Sequence, residues 1–205
     1  IMAFVSNGTT ILDAGAFSVN LGSMVHIKTL TASSSANLSF VHGSSSVVFN
    51  STYPIYIFKF SNIHLADNNG EWGVNYTTDG TNYNVSKTST YYYANHKEDD
   101  SGTALAYTDS RDSGGNTGID ELAADVGADA DQSTSGQLMI FNPSSTTFVK
   151  HYIATTSYAH ADDYIINTYI GGYGNTTSAI TGVRFSAVSG NIDSGTIKLY
   201  GLKDS

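Results

Sequence analysis

The chain has no cysteine among its 205 residues, only two prolines and few charged side chains. The lack of cysteine excludes disulfides and thiolate metal sites. Charged residues make up 13%, about half of the usual share. The net charge of −9 leaves no basic footprint of the kind that nucleic acids require. No apolar run approaches the ~20 residues of a membrane-spanning helix. We therefore expect neither nucleic-acid binding nor membrane insertion.

Short runs of alternating polarity recur along the chain. In such a run, one set of side chains faces a core and the other faces water, which is typical of β-strands. Serial short strands with turn residues between them favour a sandwich or barrel over βαβ units. Twelve segments are predicted to be strands, and they cover residues 24–30, 36–41, 47–49, 55–65, 72–77, 90–94, 104–108, 137–141, 147–155, 164–169, 182–188 and 196–202.

This pattern predicts an all-β fold, an antiparallel β-sandwich of jelly-roll type with one short helix in a loop. Residues 1–205 are interpreted as a single domain, in which residues 1–23 form an N-terminal arm or attachment segment. The last two alternating runs, at residues 183–185 and 196–200, are predicted to pair as closing strands of one sheet. Glycine-bearing turn sequences separate these two runs.

Local signals add a bulge and a hairpin to this prediction. Aromatic residues occupy alternate positions up to Phe60, but the next apolar residue of the segment, Ile63, has the opposite parity. A β-bulge is therefore expected near Ser61 and Asn62. The turn at residues 78–81 contains Asp-Gly, a pair that supports the positive φ angles of a tight turn, and it predicts a hairpin.

One segment departs from the strand pattern. Thr117 suits the amino-terminal cap of a helix, and Gly127 suits its exit. A short helix is therefore predicted over residues 117–126, between two acidic loops rich in glycine and serine. The apolar residues that follow helical spacing are Ile119, Leu122, Ala123 and Val126.

Aromatic residues supply the candidate contact sites. Trp72, the one tryptophan, and the run Tyr91, Tyr92 and Tyr93 could stack on sugar rings or on a partner chain if they are exposed. Because neighbours in a strand alternate between faces, Tyr92 must point away from the other two tyrosines. Packing in the core or at a subunit interface is the alternative explanation for all four residues.

Carboxylates crowd the middle of the sequence. Oxygen-rich clusters of this kind can hold Ca²⁺, and the candidate ligands are Asp99, Asp100, Asp109 and Asp112. No Ca²⁺-loop motif accompanies them, so solvated acidic loops are the alternative. No catalytic motif is present, and we expect no catalytic residues and no cofactor other than this Ca²⁺ candidate.

Several phrases of the sequence resemble virion structural proteins of tailed phages that infect marine bacteria, including cyanophages and pelagiphages. The similarity runs from Met24 to Lys203, with one departure at Leu65, where the family usually carries proline. The phrases are IKTLTASSS at 27–35, FKFSNIH at 58–64, YNVSKT at 83–88, DADQS at 129–133, FNPSSTTFVK at 141–150, GYGNTTSAI at 172–180 and SGNIDSGTIKLYGLK at 189–203.

This resemblance implies a surface-exposed β-sandwich on a phage virion, assembled in the host cytoplasm and without catalytic residues. It implies a structural protein, a fibre or appendage component with a host-adhesion role, and assembly as a homotrimer with other virion proteins as neighbours. Two alternatives stay open at this point. One is a capsid decoration protein bound to the major shell, and the other is a non-catalytic module that binds host surface glycan.

Overall fold

The computed structural model describes residues 4–6, 8–13, 16–17 and 24–203, and these residues form strands and loops without any helix. The strands are β1 (Phe4–Ser6), β2 (Thr9–Asp13), β3 (Ala16–Phe17), β4 (Met24–Thr31), β5 (Leu38–Val41), β6 (Ile55–Leu65), β7 (Gly70–Thr77), β8 (Lys87–Lys97), β9 (Thr103–Tyr107), β10 (Gly114–Asn116), β11 (Asp120–Val126), β12 (Thr134–Phe141), β13 (Lys150–Ala159), β14 (Tyr164–Gly174), β15 (Gly182–Ala187) and β16 (Ile192–Leu202).

The strands form three antiparallel sheets. The large sheet has the order β10-β8-β14-β13-β12-β6-β16-β4, with β9 also pairing with β8. The small sheet has the order β11-β7-β15-β5, and β1-β2-β3 form a sheet of their own. The expected all-β, antiparallel fold is therefore confirmed.

Early strands pair with late strands in a nested order. β4 pairs with β16 and β6 with β12 in the large sheet, whereas β5 pairs with β15 and β7 with β11 in the small sheet. From β4 to β7 the chain therefore changes sheet at every step. β8 to β10 and β13 to β14 are insertions into this scheme, and they extend the large sheet beyond β12.

The large and small sheets pack face to face through aromatic side chains. The ring of Phe60 in β6 meets Trp72 in β7 edge-on at 4.8 Å between centroids. Trp72 in turn stacks on Phe185 of β15 at 5.6 Å, and Phe58 of β6 lies 5.3 Å from the same ring. All four side chains are buried. Alternation along each strand thus supplies one apolar face per sheet, and the two faces form the core.

The bulge expected in β6 is confirmed. Phe60 of β6 pairs with Gly136 of β12, and Ile63 pairs with Thr134. Three residues along β6 therefore lie opposite two residues along β12. Asn62 takes a left-handed backbone conformation at φ 53°, which asparagine tolerates better than most residues. The extra residue in β6 restores the apolar parity, so that Ile63 and Leu65 are buried like Phe60.

The predicted pairing of the two closing runs is wrong. Both runs are strands, but β15 lies in the small sheet between β5 and β7, while β16 lies in the large sheet between β4 and β6. Period-two alternation fixes which side of a strand is buried and does not specify which strand lies beside it. The segment between them therefore crosses from one sheet to the other.

The predicted hairpin at residues 78–81 is also wrong, although the turn exists. Gly80 has φ +79°, and the Asp79 carboxylate accepts the N–H groups of Thr81 and Asn82 at 2.8 and 2.7 Å. The strands on either side, β7 and β8, belong to different sheets. The turn thus redirects the chain between layers, because its carboxylate cap satisfies the backbone locally without any need for paired strands.

The predicted helix at residues 117–126 is wrong, because β11 occupies Asp120–Val126. Against β7, its register slips between Glu121 and Ala123 and again between Ala123 and Val126. Each slip adds a residue to β11, which changes the spacing of buried positions from two to three. Two bulges in a strand therefore reproduce the three-and-four spacing of a helix.

Side chains of the inserted strands cover the outer edge of β11. The Leu122 carbonyl accepts the hydroxyls of Thr156 in β13 and Thr168 in β14 at 3.1 and 3.0 Å. The Ala124 N–H donates to the Tyr158 hydroxyl at 3.4 Å. These bonds satisfy backbone groups that an edge strand otherwise exposes to pairing with another chain. The extended large sheet thus wraps around the edge of the small one.

The remaining predicted runs, apart from residues 47–49, all overlap strands, although residues 36–37 and 147–149 precede β5 and β13. That segment has no regular structure, although Val47 and Phe49 are buried. Within the predicted N-terminal arm, the structure describes β1 to β3, while positions 1–3, 7, 14–15 and 18–23 lie outside the described residues. The role of this arm in attachment stays a prediction.

Candidate functional site

An exposed aromatic surface lies on the large sheet, on the face that points away from the small sheet. Strand pairing sets Tyr107, Tyr92 and Tyr169 in one row across β9, β8 and β14. The rings of Tyr92 and Tyr169 stack at 5.4 Å between centroids. We name this surface the tyrosine face and define it by the exposed residues Tyr92, Leu105, Tyr107, Ile153, Ile165 and Tyr169.

The paired rows of the tyrosine face contain no carboxylate, although the chain has a net charge of −9. One carboxylate, that of Asp112 in the loop after β9, accepts the Tyr107 hydroxyl. Between the members of the face, strand pairing places neutral residues such as Thr90, Thr155 and Asn167. A mostly apolar groove of about 560 Å³ opens beside Ile153, at Gly171. A side chain added at Gly171 would meet nothing closer than 3.7 Å, so the glycine leaves open space there. Exposed apolar patches of this kind are typical of interaction sites.

A cleft of about 300 Å³ lies on the other side of β8, the side that faces the small sheet. It is next to β11, the edge strand of the small sheet. Its walls come from β8, β14, β11 and the loop after β9. We name it the Arg111 cleft, and the residues that matter for its chemistry are Tyr93, Asn95, Arg111, Asp125, His160 and Tyr164.

Arg111 organises the charges of the cleft. One terminal nitrogen donates to Glu71 and to Glu121, the latter at 2.9 Å, and the other donates to Asp125 at 2.9 Å. Burial lowers the pKa of Arg111, but its hydrogen bonds to Glu121 and Glu71 outweigh burial and raise it overall. Burial also raises the pKa of Glu121, against the opposing effect of Arg111. One cation thus faces three carboxylates.

Two polar groups of the cleft are held in unusual settings. The side-chain oxygen of Asn95 is buried and has no hydrogen-bond partner. Asp125 has φ 53°, a left-handed conformation that costs free energy in a residue other than glycine. Beside it, His160 Nε2 lies 3.9 Å from the Asp125 carboxylate, and its Nδ1 accepts the Asp162 N–H at 3.0 Å.

A buried polar network lies between β11, β8 and β13. The Asp120 carboxylate accepts hydroxyls from Ser89, Ser113 and Tyr152 at 2.8, 2.6 and 2.6 Å. Lys87 is also fully buried, and its ammonium donates to the Asn75 side-chain oxygen at 2.5 Å. Burial lowers the pKa of Lys87 to about 8, although the charge of Asp120 opposes this shift. Neither charge reaches solvent, so the network fixes strands rather than binding a ligand.

Lys87 predicts a pH dependence of stability. A lysine with a folded pKa of about 8 and an ordinary pKa of 10.5 binds fewer protons in the folded state between these values. Stability therefore rises with pH in this window. Between pH 7 and 10 the unfolding free energy of the wild type should increase by about 2–3 kcal/mol relative to Lys87→Met.

Urea unfolding at pH 7, 8, 9 and 10 tests this prediction. Burial raises the pKa of tyrosines such as Tyr152, so both proteins lose stability above pH 10. This loss cancels in the difference between the unfolding free energies of wild type and Lys87→Met. Parallel stability profiles of wild type and Lys87→Met would contradict a buried, charged Lys87.

The four aromatic residues predicted as contact sites lie in different places in the structure. Trp72 is fully buried between the sheets, so it offers no surface to a glycan, and its prediction as a contact is corrected. Tyr91 is buried, Tyr93 is half-buried on the same side, and Tyr92 is exposed on the other side. The expected alternation is confirmed. Tyr92 belongs to the tyrosine face, whereas Tyr91 and Tyr93 line the Arg111 cleft.

The four Ca²⁺ candidates are not gathered into one site. Asp99 lies 3.6 Å from Lys97, and Asp100 lies 3.2 Å from His96. Asp112 accepts the Tyr107 hydroxyl, and Asp109 lies in the same loop. In the described ranges, no three His, Asp or Glu side chains converge in a way that could hold a metal ion.

Sequence reasoning missed the Arg111 cleft. Its residues come from distant parts of the chain, from Glu71 to Tyr164, and no local motif links them. One signal is present, because Arg111 is one of only two arginines and stands within an acidic stretch. An isolated cation among carboxylates indicates a set of ion pairs.

Comparison with protein-family models, curated proteins and solved structures found no match to this chain. The resemblance to phage virion proteins therefore depends on the sequence phrases alone. Over the described part of the chain, no helix combines the length and apolar character that crossing a membrane would take.

Proposed function

We propose that this protein is a structural component of a tailed-phage virion, exposed on the particle as part of a fibre or appendage and adhesive toward the host. In this proposal it acts through non-covalent contacts and not through catalysis. The resemblance from Met24 to Lys203 supports it. The nested pairing of β4 to β7 with β16, β15, β12 and β11 supports a jelly-roll sandwich, since that architecture alternates strands between two sheets in the same way.

The observation that carries the proposal is the tyrosine face. It is an exposed sheet surface that combines tyrosine and aliphatic side chains. Its paired rows contain no carboxylate, and Asp112 reaches it from the neighbouring loop through the Tyr107 hydroxyl. Tyrosine is enriched at protein interfaces, because its ring buries apolar area while its hydroxyl stays hydrogen-bonded. Two copies of a chain with charge −9 repel each other least where the facing surfaces are neutral. We therefore assign this face to contact between copies in a homotrimer.

Sedimentation equilibrium of the purified chain at micromolar concentration tests this assignment. We expect a mass three times the 21.7 kDa of one chain for the wild type. Gly171→Arg should give monomer, because the new side chain projects from an open position into the interface and carries a charge. Its far-UV circular dichroism should match that of the wild type, while its melting temperature should be lower, because assembly no longer stabilises the native state.

Ser44→Arg is the matched control. It adds the same side chain to an exposed loop next to β5, in the other sheet, and should leave the trimer intact. A monomeric wild type, or a trimer unaffected by Gly171→Arg, would count against the tyrosine face as the assembly surface. A capsid decoration protein would instead show many copies bound to the shell, which quantitative mass spectrometry of particles distinguishes.

A further inference from the structure

We infer that the Arg111 cleft binds one ring of a neutral carbohydrate. This inference deepens the adhesion part of the proposed function and rests on it, since host surfaces present such rings. The cleft lies on the opposite side of β8 from the tyrosine face. Contacts made through the tyrosine face in a trimer therefore leave the cleft uncovered, because the cleft opens on the other side of the sheet.

The charges of the cleft disfavour charged small ligands. An anionic ligand would meet the carboxylate of Asp125, and the Arg111 guanidinium in the cleft is already bound to three acidic side chains. A cationic ligand would compete with Arg111 for the same oxygens and face its positive charge. A neutral ligand with many hydroxyls avoids both conflicts, because it can donate to carboxylate oxygens and accept from nitrogens.

The hydrogen-bonding groups of the cleft match a polyol. Asn95 lines the cleft, and its buried side-chain oxygen has no partner, which costs free energy. Rotation of the amide would present this acceptor to a donor in the cleft. A sugar hydroxyl is a suitable donor. The Asp125 carboxylate is partly exposed, and its strained backbone holds it at the rim beside Arg111. The ring of Tyr93 next to Asn95 adds an apolar wall for the C–H face of a sugar.

The size of the cleft limits the ligand. Its volume of about 300 Å³ lies at the lower end of the ~300–1,000 Å³ that small-molecule sites span. Such a site accommodates a single ring better than a long extended chain. Binding of one ring is expected to be weak, and the presence of several copies on a particle would multiply it.

Saturation-transfer NMR and calorimetry on the full chain test the inference. The probes are methyl glycosides of glucose, galactose, mannose and N-acetylglucosamine, with glucuronate and glucosamine as charged comparators. At least one neutral glycoside should bind with a Kd on the order of 1 mM. Asn95→Leu should weaken it about tenfold, while His96→Leu, the neighbouring residue on the opposite face, should change it less than about twofold.

Asp125→Asn is a second variant, which keeps the side-chain volume and should also weaken binding. It provides the test if Asn95→Leu does not fold. The inference is overturned if no neutral glycoside binds, if a charged comparator binds as well, or if binding survives both variants. Absence of glycoside binding in a chain that is found on virions removes only the cleft assignment. Glycoside binding by a chain that is absent from virions removes the virion assignment instead.

Discussion

Replacement of Asp120 by alanine is expected to lower the free energy of unfolding by about 3–5 kcal/mol. The carboxylate is almost fully buried and accepts three hydroxyl hydrogen bonds, from Ser89, Ser113 and Tyr152. Its removal leaves these hydroxyls without an acceptor in a site that water does not reach. It also removes the negative charge that favours the buried ammonium of Lys87. The loss is therefore much larger than that of a surface carboxylate.

Urea unfolding at pH 7, followed by circular dichroism, measures this effect. Asp162→Ala is the control, because that side chain is 76% exposed and its removal should change stability by less than about 0.5 kcal/mol. Asp120→Asn, which keeps the shape, should fall between the two. A loss below about 1 kcal/mol for Asp120→Ala would show that the network does not hold β11 in place.

Replacement of Trp72 by alanine should also cost about 3–5 kcal/mol, because it leaves a cavity between the two sheets. The indole contacts Phe60 from one sheet and Phe185 from its own, and none of its surface is exposed. Its ring N–H has no hydrogen-bond partner in the structure. Trp72→Phe should therefore cost clearly less, since it keeps an aromatic ring and removes a buried unpaired donor.

Thermal and urea unfolding of both variants test this prediction, with Phe148→Ala as the control. That phenylalanine is 70% exposed, and its removal should be close to neutral. Before unfolding, the wild-type emission of Trp72 should be blue-shifted, as expected for an indole shielded from water. Emission typical of a solvated tryptophan, together with a small effect of Trp72→Ala, would contradict face-to-face packing of the sheets.

Alternating polarity identifies most strands, because burial of one face imposes a period of two wherever the strand is regular. The same rule locates the bulge at Asn62, where the parity of the apolar residues changes within one strand. It also predicts correctly that Tyr92 points away from Tyr91 and Tyr93. These features depend only on neighbours in the sequence.

Features that depend on distant residues are not predictable in this way. The sequence of β11 predicts a helix because two bulges give its apolar residues helical spacing. Its strand conformation is set by β7 on one edge and by hydroxyls from β13 and β14 on the other. β15 and β16 follow each other in the chain, which favours pairing between them, yet each inserts between two earlier strands.

The tyrosine face and the Arg111 cleft are also only partly predictable from neighbours in the sequence. A run of tyrosines is visible in the sequence, but its exposure at Tyr92 and burial at Tyr91 follow from the position of the small sheet. The rest of the tyrosine face comes from β9, β13 and β14, which pair with or near β8 only in the folded chain. Arg111, Asp125 and Asn95 meet for the same reason.

A high-resolution map of intact virions tests the proposed role most directly. We expect density for this chain on the outside of the particle, in groups of three, with Tyr92 and Tyr169 buried between copies and the mouth of the Arg111 cleft open to solvent. Absence of the chain from purified virions, or copies whose Tyr92 and Tyr169 rings face solvent throughout, would contradict the proposal.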